Sequence, residues 1–483
     1  MKREIKVLDV RGVATGIPLT AKNFFLILIA IAIPPLINRI SFFDGHCNAG
    51  LALGFTISVM LLLLTGLISL GAGSILLTFL GLASGLLNTN EILAGSLFYQ
   101  FIGFCVIGYG AEATPFGKRF SYWLLRSWGQ RPNRIVIAFL FVSAILSSFL
   151  SNTAIMIMMA SICHQVMKQM GQEAGKSKFA TTCMLACTIG PCIGGVGFIQ
   201  GFGGTNLYAI EQMASVTNGK FHISALQWAI GGWSTLIFTL PIVAFLILKI
   251  LRFDASSITV PGKEYYDDRL RELGPISGNE FRWITYAISM IVLLMVGIES
   301  TMLLLALIVL CIMPGVGCFT AQDAFTKAVP WEVVFGGVGM CVMGTMFSKS
   351  GLTNMISDLI APRLKAIPPF SIMLILSLII AILSMYFIAT TYPCIAIGVT
   401  MTAPIIEAIG LNPAIILFPV MLSLQYMFGI FAIPIIQQNY RYGYWKKSQI
   451  TGIGTIVMLV CVLCNCAVSY FLLPSFWHIP LYL

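Results

Sequence analysis

Two short polar clusters stand inside otherwise apolar stretches. The first is Ser151-Asn152-Thr153, with Ser147 one helical turn earlier. The second is Gly203-Gly204-Thr205-Asn206, which closes a glycine-rich stretch. Hydroxyl and amide oxygens coordinate Na+, and hydroxyl and amide protons donate to a carboxylate. Neutral oxygens suit a monovalent cation, whereas a divalent ion calls for carboxylates. The plainer alternative is that Ser, Thr and Asn cap two half-helices. Two such clusters facing each other in a repeated architecture favour binding. In that reading Asn152 touches both ions, offering its C=O to a cation and its NH2 to an anion.

Other candidate motifs carry less. Gly171-Gln172-Glu173-Ala174-Gly175-Lys176-Ser177 looks like a phosphate loop but is one residue short and follows no strand, so it reads as a solvated turn. His46, His164, His222 and His478 are scattered singly near span ends. Cys461, Cys464 and Cys466 fall in the last apolar run, with no His or carboxylate nearby, and behave there as small hydrophobes. No cofactor is expected beyond a coupling ion.

These clusters sit in an unusually apolar chain. Of 483 residues, 58% are hydrophobic and 10% charged, with mean hydropathy +0.93; soluble domains carry about 25% charged residues. That excludes a soluble enzyme. The apolar runs are continuous rather than alternating, so the spans are helices of about 20 residues, not strands. The net charge of +10 gathers at span ends, as in Lys118–Arg134, which reads as cytoplasmic loops rather than nucleic-acid binding. The expected fold is all-α and polytopic, with eleven spans and two re-entrant hairpins. The N-terminus would be cytoplasmic and the membrane the plasma (inner) membrane.

The breaks give the organisation. Residues 135–165 are apolar but interrupted at Ser151-Asn152-Thr153, with basic flanks at both ends. If both flanks are cytoplasmic, the segment is a hairpin of two half-length helices with its polar tip near the bilayer midplane. Residues 179–210 hold too much glycine and proline for one continuous helix. Unwound backbone at membrane depth is tolerated only where it lines a cavity or is buried in protein. Similar breaks recur in the second half, near Ala389–Pro393 and at Gly429 and Pro434. Glu299 reads as an outer-surface turn between two short spans. The expected division is a tail and scaffold spans over 1–87, then a first repeat over 88–251 with hairpin 135–165 and broken helix 179–210. A cytoplasmic linker covers 252–282 and further scaffold spans 283–316. A second repeat covers 317–483, with hairpin 368–402 and broken helix 412–440.

Gly103-Phe104-Cys105-Val106-Ile107-Gly108 is matched in the second half by Gly339-Met340-Cys341-Val342-Met343-Gly344. An odd number of spans separates the two units, so they are inverted. Inverted repeats with interrupted helices in matching positions are the pattern of secondary transporters, whose substrate and ions bind at the breaks. A channel would more naturally show charged rings or a symmetric filter. A membrane enzyme would need a titratable or metal-binding cluster at midplane depth.

Three stretches resemble the divalent-anion:sodium symporter family. They are Ser151-Asn152-Thr153-Ala154 at the hairpin tip, Gly203-Gly204-Thr205-Asn206 at the first break, and Pro330-Trp331-Glu332-Val333-Val334-Phe335-Gly336-Gly337. The resemblance implies transport of di- or tricarboxylates, in some members sulfate, coupled to Na+ or to anion exchange. It also implies a homodimer in the lipid bilayer with an elevator-like transport domain. It places Na+ at Ser147, Ser151, Asn152 and the backbone near Gly203. The substrate would meet Asn152 and Thr153, with Thr205 and Asn206 facing them. The family's second Ser-Asn-Thr is missing: the corresponding stretch reads Cys394-Ile395-Ala396 or Ala389-Thr390-Thr391. Thr390, Thr391, Gln437, Gln438 and Asn439 are the polar replacements. A proton-coupled sulfate transporter and an anion channel are the alternatives.

Overall fold

The computed structural model describes residues 21–43, 45–88, 95–201, 204–256, 258–297, 301–329, 331–387, 391–428, 436 and 439–483. The described residues are 76% helix. Among the described residues no strand forms, and an isolated bridge joins Leu411 to Tyr482. Helix is what lipid demands, because each backbone N–H and C=O must be satisfied within its own segment.

In chain order the helices are α1 (Ala21–Asn38), α2 (Cys47–Leu64), α3 (Leu70–Ala83), α4 (Gly95–Ala113), α5 (Phe116–Trp128), α6 (Pro132–Phe149) and α7 (Asn152–Gln169). Next come α8 (Lys178–Gly194), α9 (Thr205–Val216), α10 (Ala225–Leu251), α11 (Lys263–Glu272), α12 (Gly278–Met295) and α13 (Thr301–Ile312). The second half holds α14 (Trp331–Lys349), α15 (Leu352–Leu364), α16 (Pro369–Ile382), α17 (Thr391–Ile395), α18 (Ala403–Ala408), α19 (Pro413–Ser423) and α20 (Lys447–Phe471). Among the described residues five segments are long and apolar enough to cross a membrane: α1, α6, α10, Pro369–Tyr386 and α20. Several helices start on a side-chain cap. Ser177 accepts from Ala180 N, Ser277 from Glu280 N, and Ser224 with Gln227 forms a reciprocal capping box.

Two compact units emerge. One comprises residues 1–95 with 331–362. In it α1 packs on α2 and α3 packs on α14, where Ser74 Oγ donates to the Gly336 carbonyl at 2.9 Å. The other comprises 96–330 with 363–483 and holds both polar clusters. The span beginning at Trp331 thus packs with the N-terminal helices, while α12 and α13 belong to the larger unit.

In the larger unit α6 and α7 form the first helix pair, with the break at Leu150-Ser151. Each arm has 18 residues, which is about 27 Å of rise against a hydrocarbon core of about 30 Å. The arms are therefore longer than the half-length helices expected. Helix continues past the apolar run into Pro132–Arg134 at one end and Val166–Gln169 at the other. α8 lies close against α6 because Gly190 faces it: a Cβ there would meet Leu140 O and Ser143 Cβ, each at 2.7 Å. The helix ends at Gly194, and α9 begins after Gly204, whose φ of 86° suits glycine. α8 continues through Gly190 and Pro191 before it stops.

The second-half breaks are more irregular. α16 runs into a π-turn at Leu383–Phe387; helix resumes at Thr391, and a second π-turn covers Ala396–Thr400. α19 ends at Ser423, earlier than the expected break at Gly429 and Pro434, which lies outside the described residues. Glu299 also lies outside them. Gly171–Ser177 is an exposed turn, with Lys176 paired to Glu173 at 2.5 Å. Amphipathic α5 buries Tyr122, Leu124 and Leu125, and α11 docks on it through Arg126–Asp267 at 2.6 Å. Arg119 of α5 grips the fully buried Glu280 of α12, Nε to Oε1 at 3.0 Å and Nη2 to Oε2 at 3.3 Å.

Candidate functional site

Ser147, on the last turn of α6, is fully buried and sits among oxygens. Its Oγ lies 2.5 Å from Asn152 Oδ1 and 2.9 Å from the Pro191 carbonyl oxygen on α8. The hydroxyl has one proton, and both neighbours only accept. One of the two short contacts is therefore left without a proton. The Pro191 carbonyl also accepts from Gly195 N at 3.1 Å, and three neutral oxygens gathered in this way are the type of donor set that suits a monovalent cation. Pro191 sharpens the set, because its ring breaks the α8 hydrogen-bond ladder nearby. Ser148, the next residue, donates to the Gly194 carbonyl at 2.9 Å and so ties α6 to the end of α8.

Asn152 opens α7. Its side chain is 6% exposed, and its Nδ2 finds no hydrogen-bond partner in the protein. A buried amide nitrogen without an acceptor is costly, by about 1–3 kcal/mol. Here it stands at a helix N-terminus, where backbone N–H groups also favour an anion. Ser151 is the N-cap but makes no side-chain cap bond, so its hydroxyl remains available. Thr153 is half-buried beside it.

The loop after α8 faces this tip. A Cβ on Gly195 would lie 2.7 Å from both Asn152 amide atoms and 2.6 Å from Gln425 Oε1. A Cβ on Gly201 would meet Gly195 O at 2.6 Å and Ser147 O at 3.0 Å. Glycine is required at Gly201, where backbone oxygens crowd the position, whereas at Gly195 the ends of two amide side chains would have to give way. Trp228 of α10 pins the loop by donating to Val196 O at 2.9 Å. Asn206, 2% exposed, holds it together from α9, with Nδ2 donating to Gly195 O and Phe198 O, each at 3.1 Å. Its Oδ1 accepts from Gln425 Nε2 at 2.8 Å. Gln200, in the same loop, is buried with both amide atoms unpartnered.

The structure thus unites Ser147, Asn152 and Asn206 with four positions absent from the sequence-based set: Pro191, Gly195, Gln200 and Gln425. Gln425 has a visible signal. It is the sole amide in the apolar stretch between Asn412 and Gln437. Thr205 is buried as the first residue of α9. Asn439 is buried and donates to Thr188 Oγ1 of α8 at 3.1 Å, three residues before Pro191, with its own Oδ1 unpartnered. Thr391 is buried at the start of α17, with no hydrogen bond to Asn152 or Asn206. Gly203, Thr390, Gln437 and Gln438 lie outside the described residues.

Further contacts join the halves around this centre. Thr400 of the second π-turn donates to Gln212 of α9 at 3.1 Å. His164 Nδ1 of α7 and Tyr444 Oη lie 2.9 Å apart, and burial pushes the Tyr444 phenol up to about 12. Two cavities flank the site. One of about 450 Å³ is lined by Ala154 and Ser161 of α7 with Lys118 and Arg269. The other, about 200 Å³, is lined by Ile199 of the loop and by Leu207, Glu211 and His222.

The profile of the sodium:sulfate symporter transmembrane region matches residues 17–481. The sodium-dependent dicarboxylate transporter SdcS of Staphylococcus saprophyticus is 22% identical over 449 residues, covering 85% of this chain and 83% of that protein. The sodium-dependent high-affinity dicarboxylate transporter 3 of Caenorhabditis elegans is 23% identical over 440 residues, covering 78% and 75%. Among solved structures, the YdaH transporter of Alcanivorax borkumensis matches with TM-score 0.53 at 13% identity, over 90% of this chain and 100% of that one. MtrF of Neisseria gonorrhoeae matches with TM-score 0.52 at 13% identity, over 80% and 82%. At that identity the two structures speak to fold alone.

Proposed function

The chain belongs to the sodium:sulfate symporter family of membrane transporters, the divalent-anion:sodium symporters, and we propose that it moves a di- or tricarboxylate by alternating access, coupled to Na+ or to exchange of another anion. The observation that carries the reading is the Ser147–Asn152–Pro191 oxygen cluster beside the unpartnered Asn152 Nδ2. One face is an oxygen nest for a monovalent cation and the next offers N–H to an anion. The names of the curated relatives add sodium and dicarboxylate.

In this reading Na+ binds Ser147 Oγ, Asn152 Oδ1, Ser151 and the Pro191 carbonyl, with the backbone near Gly203. The substrate meets Asn152, Thr153 and the α7 N-terminus, and Thr205 and Asn206 hold the facing loop. Bound Na+ draws Asn152 Oδ1 and so aims its NH2 at the carboxylate, which makes each ligand improve the other's site. Thr390, Thr391, Gln438 and Asn439 are weaker candidates for a second half-site, so one strong cation site is expected. The two flanking cavities are starting points for access from the two membrane faces. The moving body would contain residues 135–210 and 368–440 and work within a homodimer whose scaffold includes the N-terminal spans. The membrane would be the plasma membrane, with the N-terminus cytoplasmic.

The test is uptake of labelled C4-dicarboxylate or citrate into proteoliposomes. A Na+ gradient should drive it, or preloaded carboxylate should. Uptake that answers to neither, while sulfate uptake answers to a proton gradient, would sink the reading.

A further inference from the structure

The orientation of one buried amide dictates what a substrate must bring to it. Asn206 has an amide atom 3.1 Å from the carbonyl oxygens of both Gly195 and Phe198. Carbonyl oxygens only accept, so that atom is Nδ2 and Oδ1 points the other way. Oδ1 also only accepts, so the Gln425 atom 2.8 Å from it is Nε2. Gln425 Oε1 is thereby turned toward Gly195 and Asn152, close to the point where a Gly195 Cβ would sit. Gln425 is fully buried, and its Oε1 has no hydrogen-bond partner in the protein. The site therefore offers a donor, Asn152 Nδ2, and beside it an acceptor that cannot be flipped into a donor without breaking the Asn206 network.

A carboxylate has acceptors only. Against Asn152 Nδ2 it is well served; against Gln425 Oε1 it sets oxygen against oxygen. A hydroxyl on the adjacent carbon donates to Oε1 while its carboxylate takes the Asn152 proton. An ammonium would donate as well, so the amino analogue, aspartate, is the competitor that tells a hydroxyl from an amine. We infer that Gln425 is a specificity residue that selects carboxylates bearing a hydroxyl on the carbon next to a carboxyl group, of the malate, tartrate or citrate kind, over their deoxy counterparts. This rests on the carboxylate reading above and narrows it.

The full-length protein in proteoliposomes tests it. L-malate and succinate differ by the hydroxyl alone, and each competes against labelled malate; substrate-dependent thermal protection in detergent gives a second readout. A site built to receive a hydroxyl rejects the analogue lacking it. The wild type should need at least about tenfold less L-malate than succinate for half-inhibition, since one buried hydrogen bond is worth about one decade. Gln425→Leu should bring the two within about twofold by weakening malate. If that variant does not fold, Gln425→Met, closer in shape, takes its place, and the wild-type ratio decides on its own. Equal potency of malate and succinate on the wild type overturns the inference while leaving carboxylate transport standing. So does a ratio unchanged in the variant, or a variant whose defect is a raised Na+ requirement, which would make Oε1 a cation ligand. Aspartate outcompeting malate overturns the hydroxyl assignment. If no carboxylate competes or protects, the carboxylate reading itself falls, and this inference with it.

Discussion

Gly195→Ala adds a single methyl at the crowded point of the site. The backbone tolerates it, because Gly195 has φ −58°, an ordinary helical value. The side chain is not tolerated: the new Cβ would lie 2.6 Å from Gln425 Oε1 and 2.7 Å from both amide atoms of Asn152. Ordinary carbon contacts are about 3.5–4.0 Å, so both amides must retreat by something like ~1 Å. That separates Asn152 from Ser147 and Gln425 from Asn206. Each buried hydrogen bond is worth about 1 kcal/mol net, and a stranded partner costs about 1–3 kcal/mol. Two such losses give ~2–6 kcal/mol, which is about 30- to 20,000-fold in ligand affinity if binding bears the loss. Gly108→Ala in α4 and Gly452→Ala in α20 serve as controls, because nothing lies within 4 Å of a Cβ at either. Both should match the wild type or gain up to about 1 kcal/mol of helix stability. The assay is uptake in proteoliposomes together with Na+- and carboxylate-dependent thermal protection in detergent. Gly195→Ala should keep its ligand-free melting temperature more nearly than its ligand protection. A variant that takes up substrate within twofold of wild type would refute the placement of the site.

Further outcomes follow from the same geometry. Asn152→Asp keeps an oxygen for the cation but sets a negative charge against the anion, so uptake should be abolished while detergent stability persists; near-normal uptake would contradict the assignment. Glu280→Ala strands the Arg119 guanidinium, which also donates to Gly274 O at 3.0 Å. Breaking a buried pair costs about 3–5 kcal/mol, and Arg119 is 20% exposed, so the lower end of that range is expected, read as a fall in melting temperature; no change would show that water replaces the carboxylate. One cation carried with a dianion leaves one net negative charge per cycle, so an inside-negative potential imposed across the proteoliposome should slow Na+-driven dicarboxylate uptake. Na+-driven uptake indifferent to the potential would mean two cations per dianion, and so a second site rebuilt around Thr391 and Asn439.

The helical, membrane-embedded character was legible because it is a property of whole segments. A run such as Ile453–Leu473 can be satisfied in lipid only as helix, and the structure forms α20 there. The first-half break was legible less exactly: α8 runs through Gly190 and Pro191, which the sequence marks as breakers, and ends at Gly194. Lengths were less so. Helix does not stop where apolarity stops, and α6 and α7 run several residues into their polar flanks. Nor does order along the chain reveal which spans pack together. α14 joins α3 because Ser74 and Gly336 fit across a close helix pair, and nothing in either stretch read alone announces the other.

The candidate site divides along a similar line. Ser147, Asn152 and Asn206 were legible because each is a polar residue at or beside a break in its own segment. Gln425 was not, because it belongs to no matching motif. It is a lone amide four residues before Gly429, the first Gly or Pro of its expected break, and single polar residues in apolar helices are common. Its meaning is relational. It depends on Asn206, which depends on the Gly195 and Phe198 carbonyls, which depend on α8 ending where it does. Pro191 shows the same limit from the other side: the residue was read as a breaker, yet what it contributes is a backbone oxygen, which residue identity cannot reveal. A second half without a Ser-Asn-Thr cluster can therefore still contribute to the first half's break. Here the second half sends one glutamine into the first half's break, and the polar surface that two motifs would share is assembled from one motif and one long amide.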